Sequence, residues 1–270
     1  MKLTWFDANS WLIEAGGRRI LVDPWLVGDL VFGGMDWLVR GVRKDPSNPN
    51  RSIDIDIPEN IDLLLLSQGL ADHAHPPTLA RLDKSIPVIA SPDGAKAAIA
   101  RGFQSVQAID HGESLRAKDI EIQAFVGAPV GATKKENAYV ITFPEEELRL
   151  YYEPHGYPDT QHLKDVAPVD VVITPMADID LLVALPVIRG SAAAVKLAEL
   201  LRPQVMLPTA QNGRVTYEGL IGPVIKETGG ADASATQLKA KGFETRVVAP
   251  ESGETVTLNL QAKQAEVQAG

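Results

Sequence analysis

The sequence predicts an α/β protein, a four-layer αβ/βα sandwich of two mixed β-sheets flanked by helices. Three observations predict it. Short apolar or alternating runs that read as strands recur along the chain. Helical patterns fall between strands in two separate stretches, as β-α units require. The order is meander, β-α units, meander, β-α units, and two such halves stack their sheets face to face with helices outside.

The elements follow in order. Residues 3–6 and 11–13 flank the turn 7–10, and Gly16-Gly17 turns the chain into 18–22. Asp23-Pro24 ends that strand, because proline cannot continue a ladder. Residues 25–60 are broken by Gly33-Gly34, Pro46, Pro49 and Pro58, yet carry Trp25, Leu26, Val31, Phe32, Trp37 and Leu38. That composition suits a loop or short helix covering an edge of the core, or a lid or partner surface. Residues 61–66 are continuously apolar, as in a strand buried on both faces. A short helix at 77–82, a strand at 88–90 and a helix to about 101 capped by Asp93 complete a β-α-β rhythm. Residues 120–125 alternate, and 138–143 with 148–152 form a hairpin across 144–147. A buried strand at 169–174 leads to a helix at 191–201 with Ser191 as its cap. A strand at 204–207, helices near 216–226 and 233–241, and a strand near 245–248 follow. The whole of 1–270 reads as one domain, with 25–60 as its cover and 261–270 as a polar tail.

Composition narrows the function classes. The chain has 270 residues, a formal net charge of −9, and 45% hydrophobic and 23% charged residues. Arg40, Arg43 and Lys44 are the densest basic stretch beyond a dipeptide, so the phosphate-neutralising face of a nucleic-acid binder is not expected. A small-molecule substrate or ligand is the expected partner. There is no cysteine, which excludes disulfides and thiolate chemistry. Any metal must be held by His, Asp, Glu or water, methionine sulfur aside. No apolar run is long enough to span a bilayer as a helix. Met1 to Trp5 enters a strand without a signal-peptide pattern, so a cytoplasmic location is expected.

The chemistry-bearing segment is 63–75, in which Leu63-Leu64-Leu65-Leu66 runs into Ser67-Gln68-Gly69-Leu70-Ala71-Asp72-His73-Ala74-His75. It resembles the metallo-β-lactamase superfamily signature, whose usual form is His-x-His-x-Asp-His. Asp23-Pro24 resembles the family's Asp-Pro strand end. Tyr151-Tyr152-Glu153-Pro154-His155 stands where the family has a Gly-Asp-Thr turn, and 205–210 where it has a strand ending in Pro-x-His. Within that family, the chain resembles the branch that contains ascorbate-6-phosphate lactonase.

The resemblance implies a hydrolase whose metals acidify a water and clamp a tetrahedral transition state. The departures bear on that expectation. Gln68 and Leu70 replace the first two histidines, and 126–130 offers no third. Leucine has no lone pair and glutamine is a poor transition-metal ligand, so the first of the family's two metal sites is expected to be lost. Asp72, His73, Glu153 and His155 are the expected ligands of one remaining divalent ion, zinc, iron or manganese. Asp72 or Glu153 is the expected general base, and Gln68, His75 and Asn212 the expected substrate contacts. The bond hydrolysed would be an ester, lactone or phosphodiester, by analogy alone.

The alternative is a metal-free, inactive binding or scaffold protein. On that reading Asp72 caps the next helix, His73 is a satisfied core histidine and 154–156 is a plain turn. His111 and His162 read as surface residues. No Gly-x-Ser-x-Gly elbow or P-loop offers other machinery, and Ser67 has His73 as its one conceivable base.

Overall fold

The computed structural model describes residues 1–181, 185–211 and 213–261. Two seven-stranded sheets face each other. The first runs, edge to edge, Thr255–Thr257, Lys2–Trp5, Trp11–Ala15, Arg18–Val22, Leu63–Leu66, Val88–Ala90 and Val106–Ala108. Its opening meander is antiparallel, and from Arg18–Val22 onward the pairing is parallel. The second runs Ser114–Ala117, Ile120–Val130, Lys134–Phe143, Leu148–Tyr152, Val171–Pro175, Val205–Thr209 and Arg246–Val247, antiparallel in its first half and parallel in its second.

Strand periodicity builds the four layers. Side chains alternate faces, so Leu63 and Leu65 point between the sheets, where they join Ile20, Val22, Ile122, Ile141 and Tyr152 in the central core. Leu64 and Leu66 face the other way. They pack on α1 (Pro76–Arg81) and α2 (Pro92–Ala100) through Leu79, Ala95 and Ala98. On the far side Val140, Tyr151, Val172 and Met206 meet Leu197 and Leu201 of α3 (Gly190–Leu201) and Leu238 of α4 (Ala231–Ala240). Each fully buried leucine contributes on the order of 2 kcal/mol. No helix among the described residues is long and apolar enough to cross a membrane.

Several local expectations are corrected. Residues 25–60 hold no helix. Leu30–Val31, Arg40–Asp45 and Asn48–Ser52 are strands, joined by Val215–Glu218 in a small antiparallel sheet. A buried cation explains why this segment is anchored. Arg43 donates to Asp7 at 2.7 Å and to the Trp25 carbonyl at 2.8 Å. The helix expected near 216–226 is that strand, a 3₁₀ turn at Gly222–Val224 and a further strand, Ile225–Gly229. Left-handed Gly219, against the Leu38 carbonyl, stops a helix there. Ile225–Gly229 pairs with the hairpin Ala177–Leu181 and Leu185–Arg189, for which the sequence carries no strand expectation. Two helix caps differ as well. Ser91, not Asp93, caps α2 by accepting from the Gly94 amide at 3.2 Å. α3 starts after Arg189 without a side-chain cap, and Ser191 lies inside its first turn. Most of the expected polar tail, 262–270, lies outside the described residues.

Candidate metal centre

The site sits at the ends of the central strands of both sheets, where chain direction changes and backbone groups are left over. Asp23 follows the strand Arg18–Val22, with φ at +42°. It is completely buried. One carboxylate oxygen accepts the Ser67 amide at 2.7 Å. The other accepts the Ser67 hydroxyl at 2.5 Å, the Tyr152 hydroxyl at 2.6 Å and His73 Nδ1 at 2.7 Å. A carboxylate only accepts, so His73 carries a proton on Nδ1 and turns Nε2 toward the site.

Nε2 of His73 lies 3.1 Å from Asp72 Oδ2 and 3.4 Å from the Asn9 amide nitrogen. The His155 ring stands 5.1 Å from the His73 ring. One ligand atom each from Asp72, His73 and His155 falls within 4.8 Å of the others, the one such cluster among the described residues. Burial disfavours charge on Asp72, but the neighbouring His73 and His155 outweigh it and hold the carboxyl at about 2. Burial likewise opposes charge on His73, which Asp72 and Asp23 overcome, raising it well above the ordinary histidine value.

Behind His155 lies Glu136, fully buried. It accepts from His155 Nδ1 at 2.8 Å, from the Gln68 amide at 2.9 Å and from the Ala128 backbone at 3.0 Å. His155 is thereby oriented as His73 is, with Nδ1 tied to a carboxylate. Desolvation would lower its pKa, but Glu136 raises it. The place emptied of the family's first two histidines is thus filled by a Gln68–Glu136 pair, while Leu70 is exposed.

The structure brings together Asp72, His73 and His155 from the expected set, and separates the rest. Glu153 is spent on its own turn. Its oxygens accept the amides of His155 at 2.9 Å, Gly156 at 2.7 Å and Tyr157 at 3.0 Å, and the Thr174 hydroxyl at 3.2 Å. Burial and the nearby Glu136 push its carboxyl up. Glu153 therefore builds the loop that presents His155, with its oxygens turned to that loop and to Thr174. Gln68 contacts Glu136 rather than the cavity over Asp72. His75 caps α1, bonded to Thr78 at 3.0 Å, and burial lowers its pKa to about 4. Neither Gln68 nor His75 lines the cavity over Asp72. Asn212 lies outside the described residues. His162 is exposed, whereas His111 is partly buried with Nε2 on the Glu136 carbonyl at 3.0 Å. Asn9 and Glu136 were missed. Asn9 follows a turn with two left-handed residues, Asp7 and Ala8, the one local hint. Nothing in sequence singles out Glu136.

Asp72 tests whether this group suits a metal. Its Oδ1 is buried and has no hydrogen-bond partner among the described residues. An orphaned carboxylate oxygen beside two imidazoles is costly unless something fills the gap. Two nitrogens and one oxygen form a donor set suited to zinc, iron or manganese. Both imidazoles carry the carboxylate partner that metal-bound histidines usually have. The residues fit one divalent ion.

Fold and site together define the class, a metallo-β-lactamase-fold protein. The model of the beta-lactamase superfamily domain matches residues 2–210, and the chain belongs to that family. A metal-dependent hydrolase of Archaeoglobus fulgidus is 22% identical over 271 aligned positions, covering 96% of this chain and all of the relative. Two solved structures share the fold. One is the metallo hydrolase Igni18 of Ignicoccus hospitalis, at TM-score 0.67 and 17% identity, covering 96% of this chain and 99% of its own. The other, a possible metal-dependent hydrolase of Veillonella parvula, gives TM-score 0.69 and 14% identity, covering 96% and 99%.

Proposed function

We propose that the chain is a mononuclear metal-dependent hydrolase, with Asp72, His73 and His155 holding one divalent ion, zinc, iron or manganese. The observation that carries this reading is the buried Asp72 Oδ1, without a hydrogen-bond partner among the described residues, beside two imidazoles whose Nδ1 atoms are fixed by Asp23 and Glu136. The hydrolase name of the Archaeoglobus relative supports the reaction class. Such an ion supplies Lewis acidity to a scissile carbonyl or phosphoryl group and lowers the pKa of a water.

The protein's own groups divide the remaining work. Asp72 is ionised at neutral pH, and a carboxylate has two oxygens, so one can ligate while the other accepts a proton from the attacking water. Asn9 lines the cavity with Asp72 and His155, and that cavity is the place for a small-molecule substrate. The Asn9 side-chain amide carries two N–H groups; the nitrogen lies 3.4 Å from His73 Nε2, and an N–H not turned to that ring can donate to a developing oxyanion. Asp23 and Ser67 hold the His73 ring, and Tyr152 braces Asp23; none of the three lines the cavity.

A metal-free binding protein is the second reading. It is favoured by the contact of Asp72 Oδ2 with His73 Nε2, which balances charge without an ion. Elemental analysis after reconstitution with zinc, iron or manganese separates the two. One equivalent bound, a raised Tm, and loss of both in Asp72→Ala are expected. No bound metal and an unchanged Tm would favour the binding protein.

A further inference from the structure

The cavity that opens on Asp72 and His155 has a volume of about 250 Å³. That is below the range usual for drug-sized ligands. Three segments outside the two main sheets wall it: Leu30, Phe32 and Val39 from the small antiparallel sheet region, Ile179 and Ile188 from the hairpin, and Ile225 from its neighbour strand. Leu30, Ile179 and Ile188 are all buried. Asn9, Asp72 and His155 supply polar atoms, with the Tyr217 phenol as a further lining group. Among the described residues, no lysine or arginine lines it.

Those facts set the charge and size of what can react. Phosphate and phosphodiester sites answer substrate charge with metal ions and with arginine, lysine or convergent amides; beside the one proposed ion, this cavity adds no basic side chain among the described residues. Here the nearest fixed anion is Asp72, and the whole chain carries −9. The lysines near the site do not help. Lys96 and Lys134 line a separate groove with Gln68 and Leu70, where both pair with Asp93, at 3.1 and 2.6 Å. An apolar body is what the isoleucine and leucine walls reward, since it leaves water on entering.

We infer that the site takes a small, uncharged molecule with an apolar body, which seats against Ile179, Ile188 and Leu30 with its polar group toward Asn9 and Asp72, and that anionic phosphodiesters are selected against. This inference rests on the reading of Asp72, His73 and His155 as the reactive end. It deepens that reading by setting the charge and size of what the site takes.

The test uses the full chain, zinc-loaded and chelator-treated, and two non-hydrolysable probes of similar size, neutral phenylacetone and anionic phenylphosphonate. Calorimetry should show phenylacetone binding both forms. Ile179→Trp, which fills the cavity, should weaken it at least tenfold in a variant whose melt remains cooperative. Phenylphosphonate should bind the chelator-treated wild type at least tenfold more weakly than phenylacetone, and Ile188→Arg should reverse that order. Ile225→Arg repeats the reversal at a less buried position if Ile188→Arg fails to fold. Turnover of phenyl acetate and bis(p-nitrophenyl) phosphate completes the test. Phenylacetone binding without turnover of either ester keeps the pocket inference and sinks the hydrolase reading. Turnover of the phosphodiester but not of phenyl acetate keeps the hydrolase and overturns the inference. So does phenylacetone binding that is absent, or unmoved by Ile179→Trp.

Discussion

Asp23 and His73, fifty residues apart in sequence, are joined by a 2.7 Å hydrogen bond in which neither side chain has any exposure. The bond fixes which imidazole nitrogen faces the site. Asp23→Asn is the informative change, because asparagine tolerates the left-handed backbone at this position. The substituted side chain can still accept the Ser67 amide through its carbonyl oxygen, but the change removes one of the two charges, Asp72 and Asp23, that raise His73. Loss of such a carboxylate partner typically costs about 10–100-fold in metal affinity. Chelator-competition titration of Asp23→Asn should find a drop of that order, with metal stoichiometry unchanged. Full-strength binding would show that Asp23 serves the fold alone.

Glu153 gives a contrasting outcome. Its carboxylate gathers three backbone amides and a threonine hydroxyl. In Glu153→Gln an NH₂ group faces those N–H donors. The variant should lose about 1–3 kcal/mol of stability through unmatched buried polar groups. Metal content by elemental analysis should stay at the wild-type value. A folded Glu153→Gln that bound no metal would return Glu153 to the ligand set.

Gly156 tests the same loop from its backbone. Its φ is +83°, and an added Cβ would overlap the Arg189 carbonyl. Its amide is the one that bonds both oxygens of Glu153. Gly156→Ala should therefore strain the turn and displace His155, at a cost of about 1–3 kcal/mol. Urea melts should record the loss, and weaker metal binding should accompany it. An unchanged melt would show that the turn can relax without cost.

These residues also show what was legible in the sequence. The sheets were legible because alternation and buried runs depend on local side-chain pattern, as in Leu63 to Leu66, which divide between two cores. Asp72, His73 and His155 were legible because motif order marks them. The surroundings of Glu153 were not legible, because a carboxylate beside a histidine looks alike in sequence whether it faces a metal or its own turn; its bonds to the amides of 155–157 appear only in the fold. Glu136 was invisible. It reaches the site through strand pairing that places Lys134–Phe143 beside Ile120–Val130, and no local pattern encodes that register. The region 215–229 was misread because short β-branched runs between glycines suit a helix edge or a strand until tertiary pairing selects one.

Arg43 decides whether the small sheet is a fixed wall of the cavity or a loose cover. Its side chain is 1% exposed and pairs with the wholly buried Asp7. It also donates to the carbonyls of Phe6, Trp25 and Leu26, and its guanidinium lies 4.5 Å from the Trp25 ring centre. Asp7 in turn accepts the Ser252 hydroxyl at 2.8 Å and the Arg214 amide at 3.0 Å. Removing one member of a buried pair strands the other charge, so Arg43→Met should cost about 3–5 kcal/mol. Replacing both, in Asp7→Asn with Arg43→Met, should recover part of that loss, because no unpaired charge remains. Thermal melts of the two single variants and the double give the coupling directly. If the wall depends on this pair, strand 40–45 of the Arg43→Met variant should also exchange its amide protons faster than 63–66. Equal protection in both strands, with the stability loss present, would mean that the small sheet is held by its apolar contacts and not by its buried cation.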